Sequence, residues 1–158
     1  MKQIFWLLLL FGNAPLFAQD IPFIHRDQIT RWKNTVSDTV YVINFWATWC
    51  APCVAELPAF EKLNKKYAGQ KVQVVLVSND FKKHVETKVK PFIREKGLKS
   101  RVVFMDDSNP NNWINLVSPE WSGAIPATMI VSKRKNKVLF YEKPLTYKAL
   151  KKALKSVL

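Results

Sequence analysis

Cys50 and Cys53, two residues apart, are the only cysteines in a chain of 158 residues. Before them runs Val40 to Trp46, an apolar, strand-like stretch, and after them Val54 to Tyr67 reads as helix. A Cys-x-x-Cys pair at a strand-to-helix junction makes a redox-active thiol. The first cysteine then meets unpaired helix N–H groups and the positive end of the macrodipole. Those partial charges favour a thiolate, which is the nucleophile of disulfide exchange. Cys53, one turn further on, is positioned to attack a mixed disulfide and release the product. Pro52, near the first helical position, loses no hydrogen bond there and helps fix the helix start.

Other chemistries fit the pair less well. Zinc takes four ligands from cysteine, histidine or carboxylate, and His25 and His84 stand in no ligand-like spacing to the cysteines. A purely structural disulfide over two intervening residues closes a very small loop and gains little entropy. Soft thiolates do suit Cu(I), so a copper-carrying dithiol is the competing reading. Glu56 follows Cys53 by three residues, which puts both on one helix face. An ionised carboxylate there raises the thiol pKa and can exchange a proton with it; the alternative is an ordinary surface glutamate. Trp49 reads as an apolar contact surface over the exposed sulfur and Trp46 as core, while Trp113 and Trp121 fit either core or rim.

The run Asn44-Phe45-Trp46-Ala47-Thr48-Trp49-Cys50-Ala51-Pro52-Cys53 resembles the active-site segment of thioredoxin-fold proteins. It is most similar to the extracytoplasmic TlpA/ResA-type thiol–disulfide reductases, whose Cys-x-x-Glu-x-Pro continuation is matched by Glu56 and Pro58. Downstream, Trp121 to Thr128 resembles the loop in which the fold holds a cis-proline facing the cysteines. The resemblance implies an α/β fold, a thioredoxin-like three-layer sandwich with a mixed central sheet. A helix–strand insertion at about residues 79–106 is typical of the TlpA branch. In the site it implies Cys50 as attacking nucleophile, Cys53 as resolving thiol and Glu56 as proton partner. Trp49, Pro52, Ile125 and a cis Pro126 would contact substrate, with no metal and no cofactor. Asn44 stands where thioredoxin has a buried aspartate; an amide cannot take up a proton, so that duty passes to Glu56.

The activity so implied is that of a reductase acting on disulfide-bearing envelope proteins, including haem-attachment segments of apocytochromes. A membrane thiol-transfer protein would supply the electrons. Copper carriers of this fold resemble a Cys-x-x-x-Cys pattern with a later histidine, one residue longer than the spacing here. A peroxidase would need a Pro-x-x-x-Thr-x-x-Cys setting, which this sequence lacks.

A length of 158 residues and 48% hydrophobic content suffice for one domain with its own core. Residues 1–18 read as a secretory signal peptide: Lys2, an apolar run from Ile4 to Phe11, then Leu16-Phe17-Ala18 before the cut. That leaves 19–158 as the thioredoxin-like domain in the periplasm or cell envelope, with an uncleaved N-terminal anchor as the alternative. Export creates the need for a dedicated reductant, because the compartment is oxidising. The net charge of +13 is spread along helices as a solvated face. Export argues against nucleic acid as a partner, whereas peripheral contact with anionic lipid stays open.

The remaining pattern supplies the scaffold. Val72 to Val77 and Val102 to Met105 read as strands, and Phe81 to Lys96 as a helix that Pro91 should kink or split. Pro58 should bend the helix that carries the cysteines. Ala127 to Ser132 and Val138 to Glu142 form a last pair of strands, and Leu145 to Leu158 a closing helix.

Overall fold

The computed structural model describes residues 20–158. The signal-peptide segment, 1–18, lies outside the described residues. In chain order the elements are β1 (Phe23–Ile24), α1 (Arg26–Asn34), β2 (Val40–Trp46), α2 (Ala51–Lys66) and β3 (Val72–Ser78). A 3-10 turn (Lys82–His84) and a π turn (Val85–Val89) lead into α3 (Lys90–Lys96). There follow β4 (Arg101–Met105), a second 3-10 turn (Pro110–Asn112), α4 (Ile114–Val117), β5 (Ala127–Ser132), β6 (Lys137–Tyr141) and α5 (Tyr147–Lys155).

Six strands form one mixed sheet in the order β1-β4-β3-β2-β5-β6. The first four run parallel, while β5 is antiparallel to both β2 and β6. Central β2 is covered on both faces, which is why Val40 to Trp46 is almost continuously apolar. On one face Leu57, Phe60 and Leu63 of α2 pack with Val89, Ile93 and, from α5, Leu150 and Leu154. On the other, Ile29 and Trp32 of α1 pack with Val117, Trp113 and Trp121. Each large apolar side chain fully buried in these layers contributes roughly 1.5–3 kcal/mol. The result is the expected three-layer α/β/α sandwich with a mixed sheet.

The structure sharpens several expectations. Between residues 79 and 106 the inserted unit is present, but its helix is split: Pro91 has no N–H for the preceding turn, and the chain widens to the π turn just before it. Gly97, in the left-handed region at φ 62°, ends α3. The helix of the cysteines continues through Pro58 to Lys66. The closing helix is shorter than the sequence predicts, because Thr146 caps it by accepting from Ala149 N–H at 3.3 Å, leaving Leu145 outside. Strand β1, two residues at the sheet edge beside β4, has no sequence signal.

Candidate active site

The parallel strands end on one rim of the sheet, and the conspicuous residues gather there. From β2 the chain turns through Ala47 to Cys50, which is the N-cap of α2 in an extended conformation. Cys50 and Cys53 are joined in a disulfide, S–S 2.06 Å. Cys53 N–H donates to Cys50 Sγ at 3.3 Å, so the first sulfur occupies the place of a capping acceptor. In the reduced protein that donor and the helix dipole would stabilise negative charge on Cys50. Cys53 is fully buried, while Cys50 keeps a small exposed edge at 6%. Pro52 is exposed in the first turn of the helix.

Across from the disulfide, Ile125–Pro126 is a cis peptide, and the Ile125 carbonyl oxygen lies 3.7 Å from Cys50 Sγ. A network unseen in the sequence holds this loop. Glu142, just past β6, accepts from the backbone N–H groups of Ser122 (3.2 Å) and Ala124 (3.1 Å) and from the Ser122 hydroxyl. Those bonds, the hydroxyl first, hold the Glu142 carboxyl below its ordinary pKa. Trp121 Nε1 donates to Ala124 O at 2.8 Å, and its ring lies inside the core against Phe45 and Trp113. Trp113 and Trp121 are thus core residues that support the loop from below, and Trp46 is core as well. Trp49, by contrast, is 62% exposed beside Cys50.

Glu56 is buried, not a surface glutamate. Its Oε1 accepts from Asn44 Nδ2 at 2.7 Å and its Oε2 from Leu145 N–H at 2.6 Å. Burial pushes its pKa up, and the two hydrogen bonds, Leu145 first, partly oppose that. Asn44 Nδ2 also reaches Ala127 O (3.3 Å) and Thr128 Oγ1 (3.2 Å), so the amide at the thioredoxin-aspartate position links the acid to β5. A second buried acid, Asp80, was not singled out by sequence. Its carboxylate accepts from the Thr48 hydroxyl (2.6 Å), the Thr48 N–H (3.1 Å) and the Ser78 hydroxyl (2.9 Å), pinning the turn before Cys50 to the end of β3. The signal that could have found it is its position, two residues past a buried parallel strand next to the one bearing the dithiol. Among the described residues, no group of three or more His, Cys, Asp or Glu side chains is arranged to hold a metal ion.

A disulfide at a helix N-cap, facing a cis-proline loop on an α/β/α sandwich, defines the thioredoxin-like class. The chain belongs to the AhpC/TSA family, whose model matches residues 14–138. It is 49% identical over 78 residues to the thioredoxin-like protein YneN of Bacillus subtilis, covering 48% of this chain and 45% of that protein. It is 28% identical over 91 residues to the thiol-disulfide oxidoreductase ResA of Bacillus anthracis, covering 58% and 47%. The matched region thus spans about half the length of these relatives. The fold is shared with a thioredoxin-related protein of Neisseria meningitidis serogroup B, at TM-score 0.66 and 22% identity over 80% of this chain and 95% of that one. It is shared also with a thiol:disulfide interchange protein of Chlorobium tepidum, at TM-score 0.63 and 21% identity over 81% and 83%.

Proposed function

We propose that this chain is an exported thiol–disulfide oxidoreductase working mainly as a reductase. The observation that carries the reading is Cys50 Sγ at the N-cap of α2, accepting from Cys53 N–H, with the Ile125 carbonyl 3.7 Å away on the facing loop. A thiolate at Cys50 attacks one sulfur of a substrate disulfide; that S–S bond breaks, a mixed disulfide forms, and the other substrate sulfur leaves and takes up a proton. Cys53 then loses its proton and attacks Cys50 Sγ. The mixed disulfide breaks, the substrate leaves as a dithiol with two electrons gained, and the enzyme holds the Cys50–Cys53 disulfide. Glu56, one turn beyond Cys53 and buried like it, is the group proposed to take up the Cys53 proton, and its raised pKa suits that role.

Trp49, Pro52 and the Ile125–Pro126 backbone form the contact surface for an extended substrate segment, by strand-like pairing at the loop. The substrates are disulfide-bearing envelope proteins, with haem-attachment segments of apocytochromes among them, and a membrane thiol-transfer protein returns the electrons. Support for export is the sequence of residues 1–18, and a mature N-terminus near Gln19, read by intact mass, tests it. Insulin reduction and Cu(I) titration on one purified sample test the chemistry. Turnover of insulin without tight copper binding is expected; stoichiometric copper with no turnover would favour the copper-chaperone reading instead.

A further inference from the structure

Among the described residues three phenylalanine or tryptophan rings are exposed, Phe23 at 46%, Trp49 at 62% and Phe81 at 64%. All three lie on the rim that carries the disulfide. Trp49 follows β2 and Phe81 follows the adjacent β3. Phe23 is in β1, whose register partner Phe104 pairs in turn with Ser78 at the end of β3. The hydrogen bonds from Thr48 to Asp80 bring the turns after β2 and β3 together, and Trp49 and Phe81 are the next residues along each. Phe81 is held in place by an edge contact with the His84 ring at 5.7 Å. Exposed apolar area next to a reactive group is a candidate interaction surface.

We propose that Phe81, together with Trp49, forms an apolar docking site for side chains flanking the substrate cysteine, so that this protein prefers disulfides set beside aromatic or large aliphatic residues. The proposal rests on the thiol–disulfide reading above. What fixes the occupant is continuity with the reactive sulfur. The sheet order β3-β2-β5 puts Cys50 between the Ile125–Pro126 loop on one side and Phe81 on the other. A polypeptide whose disulfide reaches Cys50 therefore docks at this rim, with Phe81 on the side opposite the Ile125–Pro126 loop. A segment pairing with the Ile125 backbone has its cysteine at Cys50, and neighbouring strands are about 5 Å apart. In an extended chain, side chains two residues from the cysteine share its face, about 6.6 Å along the segment, and these are the positions proposed to meet Phe81. Apart from its edge contact with His84, Phe81 stands outside both core clusters and is mostly exposed. Keeping a phenyl group in water is unfavourable, and covering it on binding recovers part of the roughly 1.5–3 kcal/mol of its full burial.

The test compares two synthetic peptide disulfides of equal charge, one with phenylalanine and one with serine two residues to either side of the cysteine. Steady-state reduction is measured with wild type, Phe81→Ala and Phe81→Leu. Wild type should show a KM roughly 5- to 20-fold lower for the phenylalanine peptide, from partial burial of one aromatic pair. Phe81→Ala should collapse that ratio toward one, and Phe81→Leu should keep most of it, with urea midpoints showing all three folded. Equal KM values for the two peptides in wild type, or a ratio that survives in Phe81→Ala, would overturn the docking site while leaving the oxidoreductase reading intact. Failure of wild type to reduce either peptide would instead overturn that reading, and the docking site with it.

Discussion

Asn44 Nδ2 donates to Glu56 Oε1 across 2.7 Å in the interior, joining the central strand to the helix of the dithiol. Of the polar atoms of this pair, only Asn44 Oδ1 has no hydrogen-bond partner among the described residues. The pair therefore has one donor group serving an acid whose burial favours its protonated form. An aspartate at position 44 would bring a second carboxyl within hydrogen-bond distance of Glu56. The asparagine avoids that like-charge pair and leaves Glu56 as its one titratable group.

Glu56→Gln should lower the pH at which the cysteines deprotonate, because an ionised carboxylate near them disfavours a second negative charge. It should also slow resolution of the mixed disulfide, since Gln cannot accept the Cys53 proton. Thiol alkylation against pH, compared with wild type, reads the first effect, and stopped-flow release of substrate thiol reads the second. Superimposable curves would remove Glu56 from the mechanism.

The same residue predicts a pH dependence of stability. Its folded pKa is raised above the ordinary value of 4.5, so the folded chain holds the proton more tightly than the unfolded chain. The stabilisation is complete below that ordinary value and is lost as pH rises through the raised one. In urea titrations from pH 4 to 8, wild type should therefore lose stability relative to Glu56→Gln. A difference that stays constant across the range would show that burial does not perturb this group.

The two cysteines should separate cleanly by role. Cys50 keeps a small exposed edge and Cys53 is sealed, so Cys53→Ser should accumulate a covalent complex with a disulfide substrate and Cys50→Ser none. Non-reducing electrophoresis with mass measurement decides it. Equal trapping by both variants would reverse or merge the roles.

Removing Asp80 should loosen the turn before the dithiol. Asp80→Ala leaves the Thr48 N–H and the Ser78 hydroxyl without their acceptor at a site where Asp80 is 6% exposed. A cost of about 1–3 kcal/mol is expected for such an unsatisfied group. Urea unfolding measures it, and faster backbone amide exchange at Thr48 and Trp49 should accompany it. An unchanged midpoint with unchanged exchange would mean that the turn is held by other contacts.

Glu142 should act on substrate recognition through the loop it clamps. Glu142→Ala removes the acceptor of two backbone N–H groups next to Ile125–Pro126 and should raise KM for peptide disulfides several-fold. The thiol titration should stay in place, because Glu142 has no contact with either cysteine. Its lowered pKa also gives a sign: the loop's extra stability is present above the ordinary value of 4.5 and fades as pH falls through the folded one. A thiol titration that moves with this substitution would contradict a purely positional role.

The amino-acid sequence by itself determined the dithiol, its place at a strand-to-helix junction, the alternation of strands and helices, and the identity of the facing loop. These are local signals: apolar periodicity over a few residues, a proline near a helix start, two cysteines at fixed spacing, and motif strings that carry family resemblance. The tertiary structure decided where each acid's hydrogen bonds go. Glu56 accepts from Leu145, 89 residues away, and Asn44 reaches Thr128 across 84. Thr48 meets Asp80 across 32 residues, and Glu142 meets Ser122 across 20. No local pattern encodes such pairings, because a carboxylate's partner is set by which strand neighbours which. Strand order and the two-residue edge strand β1 likewise depend on how much apolar surface the assembled layers can bury, a property of the folded whole. Leu145 shows the boundary between the two. Its apolar type suggests the start of a helix, yet Thr146 takes the cap, and the freed Leu145 N–H becomes the donor that holds Glu56.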